Sequence, residues 1–122
     1  MNDEAEWTIV FYVDEGGSEP VRAFIESLDT KTQTRFAWSL EQLRVRNIHA
    51  REPLARHIED RLWELREESS GNIYRVFYIF YTGRRIVFLH GFQKKSRKTP
   101  RREIAIATAR MQRFLARTGE VY

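Results

Sequence analysis

The spacing of apolar and polar residues predicts four β-strands. The run "WTIVFYV" (residues 7–13) is β-branched and aromatic, as in a buried strand. "RLWELRE" (residues 61–67) alternates, with Leu62, Glu64 and Arg66 on one face, which predicts a half-buried strand. "IYRVFYIFY" and "RRIVFLHGF" flank Thr82-Gly83, so we expect a tight hairpin between the last two strands.

Helical spacing of apolar residues predicts three helices. The first covers residues 19–28 with Ser18 as N-cap, and the second runs from Asp29 or Thr30 to about Arg46. Thr99-Pro100 predicts the start of the third, as its N-cap and first residue. The segment between the second helix and "RLWELRE", around Pro53, is predicted to be a loop.

These elements predict a single α+β domain over residues 1–122, in the order β-α-α-β-β-β-α. Three consecutive strands form a meander, and the first strand is expected beside the last. The expected sheet is therefore mostly antiparallel and four-stranded, in the order 1-4-3-2, and packed with helices.

Composition narrows the classes of function. The chain has no cysteine, which excludes disulfides, thiol nucleophiles and thiolate zinc sites. The three histidines lack paired metal spacing, and no P-loop or dinucleotide fingerprint occurs, so we expect no metal and no cofactor. No signal peptide or apolar run of membrane-spanning length is present, which predicts a soluble, cytoplasmic protein with no membrane partner.

Positive charge is concentrated in one stretch. The net charge of the chain is +4. Residues 84–102 hold eight Lys and Arg and no Asp or Glu, so the net charge of the remaining residues is −4. Such a patch suggests a polyanionic partner, most simply nucleic acid, and a solvated loop that keeps the protein soluble explains it equally well. The charges cluster between the last strand and the last helix, at Lys94, Lys95, Arg97, Lys98, Arg101 and Arg102.

Arg75 is the second candidate, because it lies inside an apolar strand. An arginine there is costly to bury unpaired, so it either meets a carboxylate or points into a cleft. The preceding strand offers Glu64 as the ion-pair partner, and also brings Arg66 onto the same sheet. We leave open whether Arg75 stabilises the hairpin or forms a cationic floor for a phosphate.

A cationic cluster suits RNA cleavage without metal. RNA carries its own nucleophile, the 2′-OH, and cations stabilise the phosphorane that its attack creates. A lysine crowded by other cations has a lowered pKa and can act as general base. The same cluster could instead only hold backbone phosphates, as in a non-catalytic nucleic-acid-binding protein.

The stretches "LWELR", "YRVFY" and "HGFQKKSRKTP" together resemble the RelE/ParE toxin superfamily, and most closely its HigB-like, phage-derived branch. The strong match covers about residues 62–104. The resemblance implies a RelE-like domain and the toxin of a type II toxin–antitoxin system. It implies an mRNA interferase that cleaves messenger RNA on the ribosome, with a cognate helix-turn-helix, HigA-like antitoxin as partner. A ParE-like gyrase poison is the alternative within the superfamily.

The resemblance also assigns roles to residues. Arg75 matches the strand arginine that contacts the scissile phosphate, and Lys94 and Lys95 match a basic catalytic position. Glu52 resembles a general-base glutamate of the YoeB branch. Apart from the resemblance, His90 is a further candidate base, although a lone histidine in a strand is more often a structural residue. The basic residues beyond these, together with the strand residue Arg66, are expected to bind RNA: Arg66, Arg97, Lys98 and Arg101. Leu62 and Glu64 stand where RelE presents lysines, and no tyrosine follows in the last helix.

Overall fold

The computed structural model describes residues 6–95 and 98–119. Within them the chain forms five strands and three α-helices, and the second helix continues into a 3₁₀ turn at Asn47–His49. In chain order the elements are β1 (Thr8–Phe11), α1 (Pro20–Glu26), α2 (Thr30–Arg46), β2 (Ala55–Glu59), β3 (Leu62–Ser69), β4 (Asn72–Tyr81), β5 (Arg85–Lys94) and α3 (Arg101–Thr118).

The strands form one mixed sheet in the order β1-β5-β4-β3-β2. β1 runs parallel to β5, and the other neighbours are antiparallel. The α+β class and the position of the first strand beside the last are confirmed. The prediction of four strands is wrong, because β2 adds a fifth strand along β3. Its sequence, "ARHIE", lacks the alternation that predicts a strand, and its pairing with β3 supplies the backbone hydrogen bonds instead.

The sheet is packed on both faces. α1 and α2 cover one face with a core that includes Val21, Phe36 and Leu43, all fully buried. α3 covers the other face through Ile104, Ala107, Met111 and Leu115. Side chains alternate along β4, so Tyr78 joins the first core and Phe77 joins the second. No helix in the described ranges combines the length and apolar character that a membrane span requires.

The helix starts differ from the predicted ones. Asp29 caps α2, accepting a hydrogen bond from the Thr32 amide at 3.1 Å. Neither Ser18 nor Thr99 acts as an N-cap, because Glu19 and Pro100 occupy the cap positions of α1 and α3 without a side-chain bond. The Thr99 hydroxyl instead lies 3.3 Å from a carboxylate oxygen of Glu64 on β3. A residue that looks like a local cap thus makes a long-range contact.

Gly91 on β5 allows α1 to lie close to the sheet. A Cβ atom at this position would come within 2.6 Å of the Phe24 ring. That ring cannot easily move, because it packs edge-on against Phe36 and Tyr74 at centroid distances of 6.5 and 6.2 Å. Only glycine therefore fits where this helix crosses β5.

We expect Gly91→Ala to lower the free energy of unfolding by about 1–3 kcal/mol, because the added methyl group overpacks the core at Phe24. Urea unfolding measures the change. Gln93→Ala, at an exposed position two residues along the same strand, is the matched control and should change stability by less than about 0.5 kcal/mol. Equal stability of wild type and Gly91→Ala would contradict the close packing of α1.

Candidate functional site

Polar side chains occupy the part of the α3-side face of the sheet that lies beyond the apolar core. On β3, Glu64 and Arg66 share a face with Leu62, which packs in the α3 core. On β4, Arg75 shares that face with Phe77. The polar residues border a pocket of about 220 Å³, which we call the arginine pocket, lined by Glu52, Pro53, Ala55, Arg56, Glu64, Arg66 and Arg75.

Glu64 is the centre of the arginine pocket. Its side chain is 0% exposed, and its Oε1 accepts hydrogen bonds from Arg75 at 3.0 Å and from Arg56 at 3.2 Å. Its Oε2 accepts the bond from Thr99. Strand register explains the convergence, because Arg56 lies directly opposite Glu64, and Arg66 directly opposite Arg75. One buried carboxylate therefore joins three segments of the chain.

Arg75 combines the two roles that its sequence position left open. It forms the ion pair with Glu64 that was one of the two alternatives, and its side chain, 10% exposed, also lines the pocket. Burial lowers the pKa of Arg75, and the neighbouring Glu64 carboxylate opposes that effect. Its Nε is buried and lacks a hydrogen-bond partner within the described part of the chain. A buried donor without a partner is uncommon in proteins, so the fold does not use all of the hydrogen-bonding capacity of Arg75.

Lys94 lies next to this cluster, and Lys95 does not enter it. Lys94 ends β5 opposite Ile73 and is half-buried. Burial lowers the pKa of Lys94, and the nearby Arg75 charge lowers it further. Lys95 follows the strand and is exposed, and neither lysine is among the residues that line the arginine pocket. Lys94 therefore has the electrostatic surroundings expected of a general base.

The basic segment before α3 borders a second groove, of about 470 Å³, between that helix and β2. Lys98 and Arg101 line it, and Arg56 belongs to both this groove and the arginine pocket. Arg101 also pairs with Glu59 at 2.8 Å, so part of its charge is compensated. Arg97 lies outside the described residues. The predicted RNA-binding residues Arg66, Lys98 and Arg101 thus lie along neighbouring grooves.

The two alternative bases have different surroundings. Glu52 is exposed and lines the arginine pocket, where its charge favours protonated Arg75.

His90 does not line the pocket. Its Nε2 lies 2.5 Å from Glu103, and its Nδ1 lies 3.3 Å from an Arg110 nitrogen. Burial lowers the pKa of His90 although the Glu103 carboxylate opposes this, so a neutral imidazole that donates to Glu103 and accepts from Arg110 explains the contacts. His90 therefore joins β5 to α3.

Arg56 is a residue of the site that the sequence did not reveal. It belongs to β2, which was predicted to be a loop, and nothing in its local pattern distinguishes it from other exposed arginines. Only the pairing of β2 with β3 brings it to Glu64. No group of three or more His, Asp or Glu side chains that could hold a metal ion occurs within residues 6–95 and 98–119.

We expect Glu64→Ala to lower the free energy of unfolding by about 3–5 kcal/mol, because it leaves the Arg75 cation buried without its partner. Glu68→Ala is the matched control on the same strand: it removes an exposed ion pair with Arg66 at 3.1 Å and should cost no more than about 1 kcal/mol. Urea unfolding compares the two. Equal losses would show that Glu64 is not the stabilising centre of the pocket.

Comparison with known proteins identifies the family. A search of curated proteins found no match. The family model described as "Phage derived protein Gp49-like (DUF891)" matches residues 23–112, about three quarters of the chain. The match extends from α1 to within α3 and includes every described residue of the arginine pocket. The chain therefore belongs to the phage-derived Gp49-like family, which is associated with the toxins of toxin–antitoxin systems.

Proposed function

We propose that this chain is the toxin of a type II toxin–antitoxin system, of the HigB-like branch of the RelE/ParE superfamily, and that it cleaves messenger RNA on the ribosome in the cytoplasm. The observation that carries the proposal is the arginine pocket. There Arg56 and Arg75 meet at the buried Glu64 carboxylate, Arg66 also lines the pocket, and the positive charges of all three lower the pKa of the nearby Lys94. A cationic pocket of this kind suits a phosphate of a nucleic acid.

In the proposed reaction the 2′-oxygen of a nucleotide attacks the adjacent phosphorus. The new bond between the 2′-oxygen and phosphorus closes a 2′,3′-cyclic phosphate, and the bond to the 5′-oxygen breaks. Negative charge builds up on the phosphoryl oxygens between these events, and the guanidinium of Arg75 is the proposed donor to them. Glu64 holds that guanidinium in place, so no reorganisation is needed as charge develops.

Two protons must move, one from the 2′-hydroxyl and one to the departing 5′-oxygen. Lys94 is the proposed base, because its lowered pKa places more of the amine in the neutral, proton-accepting form near neutral pH. Glu52, which lines the same pocket, is the alternative base. Lys95 is the weaker candidate because it is exposed and lies beyond the end of β5, whereas Lys94 is half-buried within the strand. Water is the proposed source of the proton that the departing 5′-oxygen takes up.

The wider basic surface is proposed to hold the RNA backbone. Arg66 borders the arginine pocket, and Lys98 and Arg101 border the groove next to it. Arg97, from the same basic segment, is proposed to act with them. Each phosphate contact adds affinity that falls as salt rises, because binding releases counterions. The proposed protein partner is a helix-turn-helix, HigA-like antitoxin.

Primer extension on messenger RNA after induction tests the proposal. New 5′ ends inside translated codons support an mRNA interferase. A ParE-like gyrase poison would produce broken DNA and intact messages, and a non-catalytic binding protein would produce neither. Either of the last two outcomes would overturn the proposal.

We expect Arg75→Lys to reduce the cleavage rate of the ribosome-bound protein by about 10²–10³-fold, which is the usual effect of losing one transition-state donor. Lysine keeps the positive charge next to Glu64 but lacks the guanidinium fork, so the fold should survive. Single-turnover cleavage on programmed ribosomes is the measurement. Arg44→Ala, which removes a cation bound to Glu41 on α2, is the control and should cleave normally.

Thermal unfolding of Arg75→Lys distinguishes loss of a transition-state contact from loss of the folded protein. A slow enzyme with a normal melting temperature places Arg75 in the reaction. Normal cleavage by Arg75→Lys would limit Arg75 to its ion pair with Glu64.

We expect the single-turnover rate to rise with pH and to level off below pH 10.5, the ordinary lysine pKa, because Lys94 deprotonates at a lowered pKa and only the neutral amine accepts a proton. Lys94→Ala should remove this rise, and Lys95→Ala should preserve it. A pH profile that Lys94→Ala leaves unchanged would exclude Lys94 as the base. If Glu52→Gln then lost activity, that residue would take its place.

A further inference from the structure

A further groove lies on the other side of the arginine pocket, next to α2. It has a volume of about 280 Å³ and is bordered by Arg35, Trp38, Arg46, Pro53 and Arg66, among others. Pro53 and Arg66 also line the arginine pocket, so the two depressions meet at these residues. We call this whole depression the Trp38 groove. A ligand that crosses the arginine pocket can continue into it.

Trp38 is an exposed aromatic residue in a well-packed helix. Its exposed fraction is 64%, whereas Phe36 of the same helix is 0% exposed. Two residues correspond to about 200° around an α-helix, so burial of Phe36 against the sheet leaves Trp38 outside the core. Burying an indole is strongly favourable, and a tryptophan this exposed at the rim of a groove is therefore a candidate to stack on a ligand.

Cations flank Trp38. Arg35 donates from its Nε to Glu67 at 3.2 Å, and its side chain remains 51% exposed. Glu67 is itself buried and held by the Ser39 hydroxyl and the Glu68 amide, so the anchor of Arg35 is rigid. Arg46 is exposed, and its guanidinium makes no hydrogen bond or ion pair with another described residue.

We propose that the Trp38 groove is a binding subsite for single-stranded RNA, in which a base next to the cleaved dinucleotide stacks on Trp38 while Arg35 and Arg46 hold the backbone. The inference rests on the proposed function, because it extends the same RNA path. An aromatic face between arginines is the usual platform for single-stranded nucleic acid. The meeting of this groove with the arginine pocket at Arg66 favours RNA over a protein partner.

The first test is single-turnover cleavage on programmed ribosomes at a range of protein concentrations. Stacking of one base on an aromatic residue corresponds to about 5–150-fold in affinity. Trp38→Ala should therefore raise the protein concentration needed for half-saturation by that factor. Its rate at saturation should remain near that of wild type, because Trp38 lies outside the reacting centre. Trp38→Phe should retain most of the affinity, since phenylalanine also stacks.

The control is Val45→Ala, which removes an exposed apolar side chain, 59% exposed, from the same helix. It should leave half-saturation unchanged. Messages with a single abasic nucleotide, placed in turn at each position flanking the cleavage site, identify the stacked base. At that position wild type and Trp38→Ala should bind equally, because the abasic message removes the partner of the indole.

The second test does not depend on cleavage. A short single-stranded RNA with 2′-O-methyl groups cannot be cut through its 2′-oxygen, and fluorescence anisotropy measures its binding to the purified protein. Weaker binding by Trp38→Ala than by Val45→Ala supports the subsite even if no messenger cleavage occurs, which would overturn only the proposed function. Equal binding by both variants overturns the subsite. In that case, selective loss of the antitoxin complex in Trp38→Ala would assign the surface to a protein partner.

Discussion

The buried carboxylate of Glu64 is the interaction on which the site depends. It accepts hydrogen bonds from β4, from β2 and from the segment before α3, through Arg75, Arg56 and Thr99. A carboxylate withdrawn from water is stable only when its oxygens are satisfied, so these contacts must form together. Because Glu64 must stay paired, its two partners Arg56 and Arg75 keep their guanidinium groups beside the open pocket.

The division of one sheet face into two parts follows from this arrangement. Where α3 covers the face, its partners are apolar and the His90–Glu103 contact joins helix to strand. Where no helix covers the face, the side chains that β3 and β4 direct to the same side are charged: Glu64, Arg66 and Arg75. Along each strand, the contacts of the side chains on this face therefore change from apolar packing to ion pairing. The helix provides stability at one end, and the exposed end remains accessible to a ligand.

The surface around the arginine pocket suggests a path for an extended polyanion. The groove beside the start of α3 meets the pocket at Arg56, and the Trp38 groove meets it at Pro53 and Arg66. The proposed roles differ along this path. Arg75 is assigned to chemistry because Glu64 holds its guanidinium in the pocket, and Lys94 because burial and neighbouring cations lower its pKa. Arg35 and Arg46 are assigned to binding, because they remain exposed.

Local pattern was enough to predict much of the fold and part of the site. Apolar periodicity predicted the three helices, the four strands other than β2, and the α+β class, because those elements bury a continuous face. The isolated charge of Arg75 in an apolar strand marked it as either an ion-pair partner of Glu64 or a cation in a cleft, and the structure contains the ion pair. Tertiary structure alone decided that β2 pairs with β3, that Arg56 reaches Glu64, and that Thr99 binds this carboxylate rather than capping α3. These contacts join residues distant in the chain, and their energy comes from satisfying a buried charge, which no local pattern records.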